Sequence, residues 1–125
     1  MLLHGFVAKL NIWSLVISSD SYGNEILWVM TDYGIMGYIL DVEYTYSGNI
    51  MVNFFKIQDQ YYFQGLNYSE GCKLRLDNNN NLWITTKSDG IRVLKNNGNL
   101  YNYNIGEVTV NNHGILSNII YDIVF

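Results

Sequence analysis

The feature that most constrains this chain is an internal repeat. Residues 16–35 and 74–91 contain the same features in the same order. Each has an apolar strand, a polar turn that begins with Asp, a second strand that contains Leu-Trp, a Thr followed by polar residues, and then Gly-Ile. Trp28 and Trp83 are 55 residues apart, and Gly34 and Gly90 are 56 apart. A recurrence of this length indicates a chain built from copies of one supersecondary unit.

Later landmarks extend the repeat along the chain. A Gly-Asn turn occurs at residues 48–49 and 98–99, and a Gly-apolar pair at residues 65–66 and 114–115, with a fainter counterpart at His4-Gly5. Asp77 follows Gly65 by 12 residues, so the next equivalent Asp falls at position 126, just past Phe125. We therefore expect two complete units and the first strand of a third, in a piece of a longer array.

The composition indicates strands rather than helices. The chain has eleven Tyr, five Phe and three Trp, and no stretch shows a sustained helical period. Four short strands per unit predict an all-β fold of antiparallel β-propeller blades, here a partial propeller. The predicted first blade covers residues 11–57, with strands 11–18, 27–31, 35–44 (with a bulge at Gly37) and 50–57. The second covers residues 72–105, with strands 72–76, 82–86, 91–94 and 100–104, and residues 117–125 begin a third.

The second copy carries a recognisable motif. Asp77, Asn80-Asn81-Leu82-Trp83-Ile84, Thr86 and Gly90-Ile91, followed by residues 114–123, resemble the two-component regulator propeller repeat. That family's pattern is Asp, two residues, Gly-Asn-Leu-Trp-Ile-Gly-Thr, then Gly-Leu and later Gly-Leu-Pro-Ser-Asn. In this chain Asn80 replaces a Gly, which is compatible with a left-handed turn. Thr85 and Met30 replace another Gly, the first copy has two extra residues before Leu27, and Pro is absent.

The resemblance implies a function. Such repeats form the periplasmic sensor region of hybrid two-component histidine kinases, many of which respond to polysaccharide fragments. It therefore implies a non-catalytic, carbohydrate-responsive sensing segment outside the cytoplasm, with further propeller blades as its partners. Residues 1–16 do not fit a signal peptide, because His4, Lys9 and Asn11 interrupt them, and no run is long enough to span a bilayer.

Charge and cysteine content exclude other classes. The net charge of −4 and the lack of a basic cluster argue against a nucleic-acid partner. The lone Cys72 offers no disulfide framework and is expected to be a packed thiol.

Candidate chemical groups favour structural roles. Trp28 and Trp83 occupy equivalent positions and are expected to pack in the core. Asp20 and Asp77 are expected to cap their own turns rather than bind calcium, because the Asn-rich turn lacks the spacing of a calcium loop. His4 and His113 have no second ligand at metal spacing, so no metal, cofactor or catalytic group is predicted.

Ligand contacts are predicted on one rim of the blades. In an antiparallel four-stranded unit, the turns between strands two and three share a side with the segments that cross between units. That side is richer in Tyr, His and mixed charges. The candidate ligand-binding residues are Asp32, Tyr33, Tyr68, Glu70, Lys87, Ser88, Asp89, Asn112 and His113.

Two alternatives remain open from the residues alone. The chain could be a self-assembling lectin-like protein in which two-blade protomers close a ring. It could also be part of a propeller enzyme, a lyase or glycosidase, whose catalytic groups lie in other blades, since fold does not determine activity.

Overall fold

The computed structural model describes residues 10–96 and the backbone of residues 103–108. The described residues are all-β, with two four-stranded antiparallel sheets whose strands follow chain order. The first sheet has β1 (Ile12–Ser19), β2 (Glu25–Thr31), β3 (Gly34–Tyr44) and β4 (Ile50–Lys56); the second has β5 (Leu74–Leu76), β6 (Leu82–Thr85), β7 (Ile91–Asn96) and β8 (Tyr103–Val108). The all-β prediction is confirmed, and the blade assignment stays a prediction.

The core lies between the two sheets. Alternate residues of β2 face it because strand side chains alternate between faces, so Ile26, Trp28 and Met30 are fully buried. The second sheet contributes a matching apolar set: Leu74, Leu82, Ile84 and Leu94. Strands β1 and β5 are neighbours, and the Leu74 N–H donates to Ser14 Oγ at 3.1 Å.

The two sheets stack in the same sense. In the first sheet, Trp28 faces the core. In the second sheet, Leu82 and Ile84 face the core, and Trp83 lies on the opposite face of β6. Equivalent faces of the two copies therefore point in the same direction, and each sheet meets its neighbour through unlike faces. This is a head-to-tail packing, which in principle can be continued by further sheets.

The two extra residues of the first copy lengthen its hairpin without changing its faces. Asp20 and Asn24 close the first turn, as Asp77 and Asn81 close the second. Trp28 comes four residues after Asn24, whereas Trp83 comes two after Asn81. Because side chains alternate with a period of two, an insertion of two residues keeps the tryptophan on the same face.

The insertion changes the tryptophan's partner. Trp83 lies near its turn, and its indole N–H donates to Asp77 Oδ2 at 2.9 Å. Trp28 lies farther away and donates instead to Ser18 Oγ at 3.0 Å, within the core. Trp28 is fully buried, as predicted, but Trp83 is half-buried and lies outside the core between the sheets.

Two strand-level predictions were wrong. Gly37 pairs in regular register with Trp28, and the irregularity of this sheet lies between Ile12 and Ser14. Gly37 is required for close packing: a Cβ there would lie 2.7 Å from Trp28 Cζ3 and 2.6 Å from Ile57 Cδ1.

The second correction concerns β8, which runs over Tyr103–Val108 instead of ending at residue 104. Gly106, predicted to start the next crossover, pairs with Val93 inside the strand. A glycine in a strand interior weakens the strand but does not have to end it, because its backbone can still pair. The predicted strand over residues 117–125 lies outside the described residues.

Candidate ligand-binding rim

A long connection between the sheets builds the predicted rim. Residues 57–73, called here the crossover segment, run from β4 to β5 and pass two turns of the sheets. It pairs with β3 through two backbone hydrogen bonds between Ile35 and Tyr62, of 2.9 and 2.8 Å. A Cβ on Gly34 would lie 2.6 Å from the Tyr62 carbonyl oxygen, so only glycine admits this approach.

The β2–β3 turn places a tyrosine beside the crossover segment. Thr31 Oγ1 accepts the Tyr33 N–H and donates to the Gly34 carbonyl, which holds the turn. Tyr33 is 53% exposed, and its ring centroid is 6.0 Å from that of Tyr61 with the planes tilted by 49°. Tyr33 and Tyr61, called here the tyrosine pair, form an aromatic surface at this rim.

Asp32 directly precedes Tyr33 in sequence and is already bonded within the protein. Its Oδ1 accepts the Trp13 indole N–H at 2.8 Å, and its Oδ2 accepts the Asn11 Nδ2–H at 2.9 Å. These bonds fix the start of β1 to the β2–β3 turn. The carboxylate is exposed and retains acceptor capacity, because an ionised carboxylate offers about four lone-pair sites.

The β6–β7 turn is held by an equivalent threonine and by the crossover segment. Thr86 Oγ1 donates to the Gly90 carbonyl at 2.7 Å and accepts the Asp89 N–H at 2.8 Å. Asn67 is bound by all three candidate residues of the turn. Its N–H donates to Asp89 Oδ2, its Nδ2 donates to Ser88 Oγ, and its carbonyl accepts the Lys87 N–H.

The other candidate residues divide into three groups. Glu70 is exposed on the crossover segment, and the Lys87 side chain is exposed on its turn. Tyr68 is 8% exposed and part of the core, where its hydroxyl donates to the Phe63 carbonyl at 2.8 Å. Burial raises the pKa of Tyr68, so this phenol stays protonated. Asn112 and His113 lie outside the described residues.

The structure also identifies rim residues that were not among the predicted ligand-binding residues. Tyr61 supplies half of the aromatic surface, Asn67 organises the β6–β7 turn, and Trp13 binds Asp32. For Tyr61, two consecutive tyrosines at residues 61–62 of a polar connection were a sequence signal of an aromatic surface. No local pattern marks Asn67 or Trp13, because their partners are 22 and 19 residues away in sequence.

The opposite rim carries two turns closed by aspartate, called here the Asp turns (residues 20–24 and 77–81). Asp77 Oδ1 accepts the N–H groups of Asn79 and Asn81, and Asp20 Oδ1 accepts those of Tyr22 and Asn24. The predicted self-capping is therefore confirmed. Asn80 adopts a left-handed φ of 61°, as predicted.

Hydrogen bonding stabilises the charged form of both aspartates. The pKa of Asp20 is lowered chiefly by the Asn24 side-chain amide. For Asp77, partial burial acts to raise the pKa, but the bonds from Trp83, Asn81 and Asn79 outweigh it and lower the pKa overall. Among the described residues, no group of three or more His, Cys, Asp or Glu side chains is placed to hold a metal ion.

The described strands and turns define a class: an all-β protein built from antiparallel sheets. No family model, curated protein or solved structure matches the chain. The described part contains no helix long and apolar enough to cross a membrane.

Proposed function

We propose that this chain is a non-catalytic, ligand-sensing segment of a β-propeller, of the kind found in the periplasmic region of hybrid two-component histidine kinases. Its ligand is an oligosaccharide, and its partners are further blades. The resemblance of the Asp77 to Ile91 motif supports the family, and the head-to-tail packing of the two sheets supports a propeller. In a propeller each blade meets the next through unlike faces around a ring.

The observation that carries the ligand assignment is the tyrosine pair beside Asp32. Sugar rings bind proteins through their apolar C–H faces against aromatic rings, while carboxylates and amides take their hydroxyl groups. Tyr33 is more than half exposed, and Asp32 lies next to it with acceptor capacity left. The crossover segment holds Tyr61 against the sheet, so this surface is formed before a ligand arrives.

A titration with soluble polysaccharide fragments tests the proposal. Binding by the purified chain is followed by calorimetry or by tyrosine and tryptophan fluorescence. Tyr33→Ala removes an aromatic contact worth about 1 kcal/mol and should weaken binding by roughly five- to tenfold. Tyr22→Ala is the matched control, since Tyr22 is 89% exposed on the opposite rim.

Three results would contradict the proposal. The first is no binding to any fragment of the panel, and the second is an equal loss for Tyr33→Ala and Tyr22→Ala. The third is turnover of a fragment, which would favour the propeller-enzyme alternative over a sensing segment. Turnover is measured in the same samples by the release of reducing ends.

A further inference from the structure

The side of the first sheet that points away from the core, called here the outer face, is apolar. Side chains alternate between the two sides of a strand, so the register of the four strands places only two charged side chains on this side, Glu25 and Lys56 at strand ends. Asp41 and Glu43 lie on the other side. Six exposed side chains of the outer face are Leu15, Ile17, Val42, Tyr44, Val52 and Phe54. They form a wider apolar surface than the single apolar residues that soluble monomers normally expose.

The equivalent side of the second sheet is buried. Leu15 pairs with the residue that follows Trp28. Leu74 pairs with the residue that follows Trp83, so the two leucines hold equivalent positions. Leu74 is fully buried between the sheets, whereas Leu15 is 56% exposed. The outer face is therefore a kind of surface that this fold buries when a neighbouring sheet lies against it.

The surface that covers Leu74 shows what fits such a face. It is the side of the first sheet that carries Trp28, and the equivalent side of the second sheet carries Trp83; each is called here a tryptophan face. The second sheet occupies the tryptophan face of the first. No further sheet of the described residues covers the tryptophan face of the second, where Trp83 and Ile91 are half-buried. One chain therefore presents one outer face and one tryptophan face.

Charged residues match when these two faces are aligned as the two described sheets are. Within the chain, the Asp-turn ends of the sheets lie side by side, because Asn80 Nδ2 donates to the Ser19 carbonyl at 3.3 Å. Glu25 is the charged residue of the outer face at that end, since it directly follows the first Asp turn. Arg75 and Lys95 lie on the tryptophan face of the second sheet at the same end. The same alignment between two copies brings Glu25 toward these cations, and opposite charges across an interface favour one orientation.

We propose that the outer face of the first sheet is an interface, and that its occupant is the tryptophan face of the second sheet in another copy of this chain. The inference rests on the propeller arrangement of the proposed function and not on its ligand. Each copy supplies the neighbouring blade of the next, so the copies associate head to tail. Such a contact joins unlike surfaces, and association continues until a ring closes or a filament forms. A ring of about four to eight blades holds about two to four copies.

The alternative arrangement of two copies is a two-fold pair with the two outer faces together. It packs two like faces, whereas the described sheets meet through unlike faces. It also leaves the tryptophan face of the second sheet uncovered in both copies, and it gives Glu25 no cation of that face as a partner. The head-to-tail arrangement uses both surfaces and both charge signs, which is why the occupant is assigned to the tryptophan face.

Sedimentation velocity over a wide range of concentration tests the association. The parent chain is expected to form species larger than a monomer as its concentration rises. Leu15→Lys places a charge in the outer face and should leave the chain monomeric, because an unpaired buried charge is strongly unfavourable. Met51→Lys is the matched control: Met51 is 48% exposed on the other side of the first sheet, and this variant should associate like the parent chain. Circular dichroism checks that each variant retains its β structure.

Charge reversal tests the alignment of the two faces. Glu25→Lys and Lys95→Glu should each weaken the association by about two- to fivefold, as expected for a partly exposed ion pair. The double variant restores opposite charges, so its association should return toward that of the parent chain. A double variant as weak as the sum of the single variants would show that the two residues do not meet.

Mixing two variants distinguishes the head-to-tail contact from the two-fold pair. Leu15→Lys keeps a working tryptophan face, and Ile91→Lys keeps a working outer face. Each variant alone should be monomeric, and an equimolar mixture should form a one-to-one dimer that cannot grow. The two-fold pair predicts the reverse: Ile91→Lys associates alone, and adding Leu15→Lys changes nothing. Lys95→Glu, at an exposed position, replaces Ile91→Lys if that variant unfolds.

The proposal is overturned by a parent chain that stays monomeric at every concentration, by association that survives Leu15→Lys, or by a mixture that forms no dimer. These outcomes are separate from those of the ligand titration. A monomeric parent chain that binds polysaccharide fragments overturns this inference alone. A chain that assembles as described but binds no fragment supports the interface and contradicts only the proposed ligand.

Discussion

Replacing Gly37 by alanine tests the packing that joins the middle of the first sheet to its core. The new Cβ would lie 2.6 Å from Ile57 Cδ1, 2.7 Å from Trp28 Cζ3 and 3.0 Å from Trp28 Cε3. Carbon atoms normally approach to about 3.5–4.0 Å, so a neighbour must move by about 1 Å. The Ile57 terminus can rotate, but the Trp28 ring is fully buried and bonded to Ser18.

The free-energy change follows from two opposing effects. Overpacking of this kind costs about 1–3 kcal/mol. Alanine is favoured over glycine in a strand by roughly 0.5–1 kcal/mol because the unfolded chain loses less entropy. We therefore expect Gly37→Ala to lower the free energy of unfolding by about 1–2 kcal/mol, measured by urea denaturation with linear extrapolation.

A second variant separates the two contacts of Gly37→Ala. Ile57→Val deletes the Cδ1 atom, so Gly37→Ala should cost less in that background, but the cost should not vanish because the Trp28 contact remains. The coupling is obtained from the double-mutant cycle. A Gly37→Ala chain as stable as the parent, or a cost unchanged by Ile57→Val, would refute the packing argument.

Two further predictions concern the Asp turns. The pKa of Asp77 is lower in the folded chain than its ordinary value of 3.8, so its contribution to stability is present above about pH 4 and is lost as the pH falls through the folded-state pKa. Asp77→Asn should remove the loss of stability that protonation of Asp77 causes at low pH. The test is the free energy of unfolding measured as a function of pH for both chains. An unchanged pH profile in the variant would contradict the lowered pKa of Asp77. Gly23 has a φ of +84° at the position that Asn80 occupies in the second copy, and a Cβ there meets no atom within 4 Å. Gly23→Asn should therefore be less destabilising than Gly23→Ala, because asparagine tolerates a left-handed backbone better than alanine. Thermal unfolding measures the two losses of stability. Equal losses would count against this reasoning.

Much of the fold was accessible from sequence because its signals are local. The Asp turns are determined within five residues by an aspartate that accepts two backbone N–H groups, and both follow directly from the Asp-Asn spacing. Most strand bounds agree with the prediction to within two residues. The exception among the described strands, β8, contains a glycine whose pairing partner is Val93.

The candidate rim was less accessible, because contacts distant in sequence decide it. In sequence, Tyr68 cannot be distinguished from any other tyrosine of a polar connection. It is buried because the fold of the crossover segment directs it into the core. Lys87, Ser88 and Asp89 were predicted to contact a ligand, and that contact stays a prediction. The structure adds that each of them bonds to Asn67, Lys87 through its backbone N–H and the other two through their side chains. A polar residue in a loop has the same local pattern whether its partner is a ligand or another loop.

The sequence by itself determined the repeat, the all-β class, the order of the strands and the chemistry of the turns, since these depend on alternation and on hydrogen bonds between near neighbours. The tertiary structure alone decided that equivalent faces point the same way, that Trp28 lies in the core while Trp83 bonds to Asp77, and that Gly37 is a packing residue. The physical reason is that alternation divides a strand into two faces. Only the stacking of the second sheet decides which of them is buried.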